Sequence, residues 1–358
     1  MRFAEWSLLL SLVILLSRWV QRITTRPAAR IKGPVHVASR TMGDEARYLP
    51  KKFERHGHVI VVQTNEGVTT DQLRSVSESF AATFKPAVHV IVADVGGITG
   101  ELRQPLHEIL WLNKHPAEVE VAAILARGAK NTSCEFPPLS FSPTLTTHVE
   151  NGVKYTFDVM RVMFSSGNTT ERLHFASVDA ADQLVVDMFA GIGYFALPLA
   201  MHGRAAHIFA MEKNPESAAF LQFNAMQNGV SNTINIYCGD NREVTENQLC
   251  GKCDRVLMGY IPDCKMFLPR ATSFLKCPQG NPVGVVHYHY LCEKAGAYKK
   301  AFNDVVETLG EEIVGHFEVT QVRQVKSYSS KKYHYVADLT FEPKMFANTS
   351  MIVCFMLL

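Results

Sequence analysis

The chain has 358 residues, of which 47% are apolar and 20% are charged, and its formal net charge is +2. This composition excludes an intrinsically disordered chain and is sufficient for two or three globular domains. The net charge neither requires nor excludes a polyanionic partner, so a nucleic-acid function has to rest on motifs. The chain has 8 cysteines. A chain of this size does not need disulfide bonds, which favours reduced thiols in a cytosol-like or organellar compartment.

Residues 1–32 form a hydrophobic and basic leader. The run WSLLLSLVILLSRWV, Trp6–Val20, is largely apolar but shorter than the ~20 residues that a membrane-spanning helix needs. An arginine-rich, acid-free stretch follows it. A targeting segment or anchor and a simple N-terminal extension that packs on the body are both compatible with this pattern. The C-terminal tail, residues 344–358, is too short for a membrane anchor and is expected to pack or fray.

Residues 33–150 are predicted to form a small α+β module. The runs Gly57–Gln63 and Ala87–Val95 are strand-like, and Thr69–Phe84 has the apolar spacing of a helix. The glycine-rich run Gly96–Pro105 predicts a break, and the following EVEVAAILARG favours strand and turn structure.

Residues 151–343 alternate between strand-like and helix-like runs. In chain order these are QLVVDMF, GYFALPLAMHG, HIFAMEK, PESAAFLQFNAMQNGV and INIYCGDN. Such alternation predicts an α/β fold of the Rossmann type, with a doubly wound and mostly parallel sheet. Ligands of these sheets bind at the carboxyl ends of the strands, which locates the site before the ligand is known.

The first predicted strand ends at Asp187 and leads into a turn with Gly191 and Gly193. Two glycines let the backbone approach a ligand closely, although a Gly-x-Gly turn alone is a weak signal. A carboxylate at Asp187 would repel a pyrophosphate, which disfavours a nicotinamide dinucleotide. It suits a ligand with a cationic amino acid end, such as S-adenosylmethionine.

The next two predicted strands also end in acids. Glu212 lies about nineteen residues beyond Gly193, the distance at which an acid binds the two ribose hydroxyls. Asp240 and Asn241 follow the third strand, where an acid and an amide can bind the adenine amino group. Each acid alone could be a helix cap or a turn residue, but three at successive strand ends favour a nucleoside site.

No metal and no general base are identified. Four cysteines have a spacing that could suggest zinc, but the last two are not a close pair. They are Cys250, Cys253, Cys264 and Cys277. His287 and His289 stand near the end of a later strand, where a role in the site and alternating positions on a strand are equally plausible.

Six motifs together resemble one enzyme family. They are HVENGVKYTFDV, FSSGNTTERL, VVDMFAGIGYFALPLA, EKNPESAAFLQFN, GDNRE and KSYSSKKYHYVADLTF. Through them, residues 31–343 resemble the tRNA methyltransferases and transferases that act on the purine at position 37, next to the anticodon. The resemblance implies a class I S-adenosylmethionine-dependent transferase domain behind a tRNA-binding module.

Three motifs separate the two branches of this family. The guanine-N1 methyltransferase branch has Phe-Ser-Pro-Arg and an Asn-Leu-Pro or Asn-Pro-Pro-Tyr motif. This chain has FSSGN at Phe164–Asn168 and MGYIP at Met258–Pro262, and its GDNRE at Gly239–Glu243 is typical of the wybutosine branch. All three motifs resemble the wybutosine branch, whose members transfer the 3-amino-3-carboxypropyl group.

The resemblance implies seven cofactor contacts, and we expect two further residues to contact the acceptor base. The cofactor contacts are Ser165, Arg172, Asp187, Gly191, Glu212, Asp240 and Asn241, and the base contacts are Tyr260 and Pro262. Arg172 stands where the family often has lysine and would hold the methionine carboxylate. A helical surface ion pair at Arg172 and a turn role for Ser165 are the structural alternatives.

The function implied is transfer of the 3-amino-3-carboxypropyl group of S-adenosylmethionine to 4-demethylwyosine at position 37 of tRNA(Phe), with 5′-methylthioadenosine as by-product. The alternative is methylation of guanine-37 at N1, and a third possibility is a membrane-tethered tRNA-binding protein without activity. Lys326, Lys331 and Lys332 are candidates for contacts to the phosphates of the anticodon loop. We expect a cytoplasmic monomer, with a mitochondrial or membrane-associated location as the alternative that the leader leaves open.

Overall fold

The computed structural model describes residues 35, 38–39, 42–129, 139–245 and 247–342. The hydrophobic leader, with Trp6–Val20, and the tail from residue 344 lie outside these residues, so their predicted roles stay predictions. Within the described part of the chain, no helix combines the length and the apolar character that crossing a membrane requires.

The first unit is a four-stranded sheet with two helices. Its strands are β1 (Lys52–His56), β2 (Val59–Gln63), β3 (Val90–Thr99) and β4 (Gln104–Leu112), and its helices are α1 (Thr70–Ala81) and α2 (Lys114–Ala129). The sheet has the order β1-β2-β3-β4, and only β2 and β3 are parallel. Helix α1 begins with a capping box between Thr69 and Gln72 and buries Leu73, Val76 and Phe80, as the apolar spacing predicted.

Helix α2 corrects the prediction for the run EVEVAAILARG, which is helical and not a strand with turns. The alternating valines imitate a strand over only four residues. Burial instead follows a helical spacing, because Ala117, Val121 and Ile124 are at most 3% exposed and lie four and three positions apart. The helix packs against the next hairpin, so a tertiary contact outweighs the local pattern.

A two-stranded hairpin joins this unit to the larger sheet. It consists of β5 (Leu145–Glu150) and β6 (Val153–Asp158), and its turn is Asn151-Gly152, with φ of 50° and 77°. The domain boundary predicted at 150/151 falls in this turn. One hydrophobic core contains Val59 of β2 and Val185 of the larger sheet.

The larger unit confirms the predicted α/β fold. Its strands are β7 (Leu184–Asp187), β8 (His207–Glu212), β9 (Ile234–Cys238), β10 (Arg255–Met258), β11 (Gly284–Cys292), β12 (Phe317–Ser327) and β13 (Tyr333–Phe341). Its helices are α3 (Thr169–Ser177), α4 (Ala196–Met201), α5 (Pro215–Gln227), α6 (Leu268–Phe274) and α7 (Ala297–Leu309).

The sheet order is β12-β13-β11-β10-β7-β8-β9. The five strands from β11 to β9 are mutually parallel, and β12 and β13 pair antiparallel. Strand order reverses between β7 and β10, so their carboxyl ends form the crevice in which such sheets bind ligands. The loops after β7, β8, β9 and β10 therefore meet at one edge.

Candidate active site

The loop after β7 turns sharply at its two glycines. Gly191 has φ of 56° and Gly193 has φ of 98°, conformations in which a side chain is strained. A Cβ on Gly191 would lie 2.5 Å from the Tyr194 ring, so the loop backbone and this ring are in close contact. The Tyr194 hydroxyl donates a hydrogen bond to the Met163 carbonyl, which fixes the ring.

A cavity of about 570 Å³ lies at the carboxyl ends of β7, β8, β9 and β10. Its volume falls in the range of roughly 300–1,000 Å³ that is usual for small-molecule sites. Seven of the nine predicted site residues line it, which are Ser165, Gly191, Glu212, Asp240, Asn241, Tyr260 and Pro262. The other two, Asp187 and Arg172, do not.

Glu212 is the last residue of β8, and its carboxylate binds backbone amides of two loops beside the cavity. One carboxylate oxygen accepts a hydrogen bond from the Gly191 amide at 2.7 Å, and the other accepts one from the Asn214 amide at 2.7 Å. Burial raises the pKa of Glu212, against the effect of these backbone hydrogen bonds. Each carboxylate oxygen retains a second lone pair, so the group can also accept from two ligand hydroxyls.

Asp240 and Asn241 lie side by side on the wall after β9, with different partners. Asp240 accepts hydrogen bonds from Arg242 at 2.6 and 2.8 Å and from Lys213 at 3.2 Å. The bonds from Arg242 hold the pKa of Asp240 well below its ordinary value. The Asn241 amide donates to the Met188 carbonyl at 3.3 Å, and its buried Oδ1 has no partner among the described residues. That oxygen is an acceptor left for a ligand.

Asp187 lies buried behind the loop and is not among the residues that line the cavity. One carboxylate oxygen accepts from the Phe189 amide at 3.2 Å, and the other is buried without a partner in the described part of the chain. Complete burial raises the pKa of Asp187 to about 7. In this structure the carboxyl group supports the loop instead of touching the space that a ligand would fill.

Arg172 does not line the cavity either. Its side chain is 3% exposed, and its guanidinium donates to Glu150 at 2.7 and 3.0 Å, to the Ser165 carbonyl at 2.8 Å and to Thr169 at 3.1 Å. These hydrogen bonds use the donors of the guanidinium and hold it behind the cavity wall. The alternative predicted for Arg172 was an ion pair on the surface of a helix. Arg172 does form an ion pair, with Glu150, but its side chain is buried and its guanidinium also holds the Ser165 carbonyl.

The wall after β10 is aromatic and carries no amide side chain. The Tyr260 ring stacks on Phe189, with centroids 5.1 Å apart and planes at 27°. At Gly259 a Cβ would lie 2.7 Å from the Phe195 ring, so an asparagine does not fit here while Phe195 keeps its place. Pro262 completes this wall. The stretch MGYIP therefore offers a flat, largely apolar surface.

Comparison with known proteins places this geometry in a family. A model of the TRM5/TYW2 methyltransferase domain matches residues 146–318, and a model of the TYW2 N-terminal domain matches residues 37–111. A tRNA(Phe) (4-demethylwyosine(37)-C(7)) aminocarboxypropyltransferase of Pyrococcus horikoshii is 30% identical over 305 residues, covering 85% of this chain and 94% of that protein. The chain belongs to the TRM5/TYW2 family.

Two further relatives define how far the TYW2 similarity extends. The zebrafish tRNA wybutosine-synthesizing protein 2 homolog is 46% identical over 143 residues, which are 40% of this chain and 34% of that protein. The crystal structure of P. horikoshii TYW2 in complex with MeSAdo has a TM-score of 0.63 and 26% identity, covering 87% of this chain and 98% of the other. The predicted family and its wybutosine branch are confirmed.

Neither predicted histidine lines the TYW2-like cavity. His287 accepts from Arg255 at 2.6 Å and donates to Asp338 at 2.7 Å, inside a buried ion-pair network. His174, His287 and Asp338 are close enough to hold a metal ion, but these bonds already use both ring nitrogens of His287. No cysteine belongs to a comparable cluster among the described residues. His289 pairs with His334 at 3.0 Å, and His334 reaches the wall.

Lys326 and Arg103 line the cavity in positions that the sequence did not indicate. Lys326, a candidate for phosphate contacts, instead donates to the Ser165 hydroxyl at 3.0 Å, and burial lowers its pKa. Arg103 comes from the turn between β3 and β4, in the stretch where the sequence predicted only a glycine-rich break. Arg103 reaches this TYW2-type site only because the first unit packs against the second.

Proposed function

We propose that this protein transfers the 3-amino-3-carboxypropyl group of S-adenosylmethionine to C7 of 4-demethylwyosine at position 37 of tRNA(Phe). The observation that carries the proposal is the cavity at the strand ends, where nucleoside-binding groups face an aromatic wall that has no amide side chain. The P. horikoshii aminocarboxypropyltransferase, which aligns over 94% of its length, supports the same activity. The chain spans only 34% of its zebrafish relative, so further activities of such longer proteins are not assigned.

The residues present fit S-adenosylmethionine. Glu212 has free lone pairs for the two ribose hydroxyls, and the unpartnered Oδ1 of Asn241 can accept from the adenine amino group. The missing side chain of Gly191 lets the loop pack closely on Tyr194, and the Gly191 amide holds the Glu212 carboxylate at the cavity. Asp240 shares the wall with Asn241 and keeps Lys213 and Arg242 at the rim. These proposals keep the predicted roles of Glu212 and Asn241, whereas the Asp240 carboxylate, predicted to bind the adenine amino group, has Lys213 and Arg242 as partners.

The cosubstrate supplies a sulfonium, whose positive charge makes each attached carbon an electrophile. In the proposed step, C7 of the acceptor base attacks the γ-carbon of the aminocarboxypropyl group and forms the new C–C bond. The S–C bond breaks, its electron pair neutralises the sulfonium, and C7 gives up its proton to solvent. The products are the substituted base and 5′-methylthioadenosine, without a covalent enzyme intermediate.

The protein decides which of the three S–C bonds is broken through position alone. A reacting carbon has to lie in line with the nucleophile at about 3 Å. Tyr260, stacked on Phe189, offers a surface on which the acceptor base can stack, beside Pro262. On the wall after β10, position 259 is a glycine and offers no amide to hold a base amine, which disfavours the guanine-N1 methyltransferase alternative.

The tRNA anticodon loop presents unpaired bases, so position 37 can enter this site at low cost. A second cavity, of about 1580 Å³, lies between the first unit and the larger sheet and shares Ser165 and Lys326 with the first cavity. We expect the nucleotide at position 37 to enter the site from the side of this second cavity. Lys331 and Lys332 are exposed on the β12–β13 turn and remain candidates for phosphate contacts. A cytoplasmic, monomeric protein remains our expectation.

The test uses S-adenosylmethionine labelled separately in the methyl and in the carboxyl position, with tRNA(Phe) that carries 4-demethylwyosine. Carboxyl label is expected in tRNA, and methyl label in 5′-methylthioadenosine. Methyl label in tRNA would refute the proposal. The variant Glu212→Gln keeps the shape of the side chain and should lower kcat/KM for S-adenosylmethionine by roughly 10- to 100-fold, the usual effect of losing charged hydrogen-bond acceptors.

A further inference from the structure

The turn between β3 and β4 crosses the mouth of the smaller cavity. Glu101 accepts from Lys213 at 2.5 Å, and the Leu102 carbonyl accepts from the Asn214 side chain at 3.2 Å. On the opposite side, Arg103 donates to the Ile261 carbonyl. These contacts connect the first unit to the loops after β8 and β10, on both sides of the Gly191 loop.

Arg103 presents a cation to the cavity with most of its donors unused. It is half-buried, and the turn holds it at φ of 54°. Its guanidinium lies 5.6 Å from the centre of the Tyr260 ring. Apart from the Ile261 carbonyl, no hydrogen-bond acceptor or carboxylate pairs with it among the described residues. A guanidinium has five N–H donors in a planar fork that matches a carboxylate.

The other cations that line this cavity already have protein partners. Lys213 lies between Glu101 and Asp240, and Arg242 is bound by Asp240. Lys326 donates to Ser165. Arg172, the residue expected to hold the methionine carboxylate, is occupied behind the wall by Glu150.

We propose that Arg103 binds the α-carboxylate of the aminocarboxypropyl group of S-adenosylmethionine. The inference rests on the proposed function and deepens it, because it names the group that orients the transferred chain. The first unit then contributes a binding residue to the active site of the second, and the nucleoside pocket is incomplete without it.

The position of Arg103 suits aminocarboxypropyl transfer in particular. The γ-carbon has to face an acceptor base that lies along Tyr260, so the carboxylate must extend toward the same wall. Arg103 lies on that wall, beside both Tyr260 and Ile261. A bidentate ion pair there neutralises the α-carboxylate and also fixes the direction of the aminocarboxypropyl group.

The test compares two ligands that differ in the aminocarboxypropyl group. S-adenosylmethionine carries the carboxylate, and 5′-methylthioadenosine lacks the whole aminocarboxypropyl group. Dissociation constants for both are measured by titration calorimetry on the full chain and on Arg103→Gln. Loss of a charge-assisted ion pair is expected to weaken S-adenosylmethionine binding by about 10- to 100-fold and to leave 5′-methylthioadenosine binding within about 2-fold.

Two further variants separate carboxylate binding from the docking of the turn. Glu101→Gln removes the negative charge that pairs with Lys213 but leaves the Arg103 guanidinium, so the ratio of the two dissociation constants should stay at the wild-type value. Arg103→Lys keeps the charge without the fork and should recover part of the S-adenosylmethionine affinity. Circular dichroism spectra establish that each variant is folded.

The inference is overturned if Arg103→Gln weakens both ligands equally, since Arg103 would then only hold the turn in place. It is equally overturned if neither affinity changes. Failure of the wild-type protein to bind either ligand would remove the proposed function itself. If the wild-type protein transfers carboxyl label to tRNA but Arg103→Gln leaves the ratio of the two dissociation constants unchanged, only the role of Arg103 is refuted.

Discussion

Replacing Gly191 by alanine tests whether the loop after β7 is as close to Tyr194 as the structure indicates. Gly191 has φ of 56°, and the new Cβ would lie 2.5 and 2.8 Å from two carbons of the Tyr194 ring. The ring has little freedom to move away, because its hydroxyl donates to the Met163 carbonyl. The Gly191 amide also donates to Glu212, so a shifted loop would disturb the proposed ribose site.

The expected loss of stability has two parts. A left-handed backbone conformation costs about 1–2 kcal/mol for a residue with a side chain. Overpacking against a fixed ring costs a further 1–3 kcal/mol or so. The free energy of unfolding of Gly191→Ala, measured by urea denaturation, should therefore fall by about 2–5 kcal/mol. Binding of 5′-methylthioadenosine should weaken in parallel.

Gly229→Ala is the matched control for the backbone part. Gly229 has φ of 74°, is exposed at the end of α5, and would place its Cβ with no heavy atom within 4 Å. Its variant should lose only the backbone part, about 1–2 kcal/mol. If Gly191→Ala were no less stable than Gly229→Ala and bound 5′-methylthioadenosine normally, the close contact with Tyr194 would be refuted.

Two further predictions concern the buried pair behind the wall. Arg172→Met should lower the free energy of unfolding by about 3 kcal/mol in urea, because it leaves the Glu150 carboxylate without its guanidinium. The exposed Arg204→Met should have a much smaller effect, and equal losses would contradict burial of the pair. Burial of Glu150 acts to raise its pKa, but hydrogen bonds from His148 and Arg172 lower the pKa to about 2, from an ordinary value of 4.5. A depressed pKa stabilises the fold above the unfolded value, so this stabilisation should be lost as the pH falls from about 4.5 toward 2, and Glu150→Gln should lose less stability over that window. Parallel pH profiles would disprove it.

The sequence by itself determined the sheet and the edge at which the site lies. Apolar strands alternate with helices, and Asp187, Glu212 and Asp240 stand at three successive strand ends. These are local features, and the rule that parallel strands present their carboxyl ends at one edge converts them into a common location. The branch motifs, including MGYIP, were equally local.

Only the tertiary structure decided which side chains face the cavity. Asp187 and Arg172 have the right residue types, but one is buried behind the loop and the other is paired with Glu150. Arg103 contacts Ile261 across 158 positions of sequence, inside a turn whose composition indicated only a break. The reason is physical. A strand end is fixed by its own residues, whereas the partners of a charged side chain depend on which distant segments pack around it.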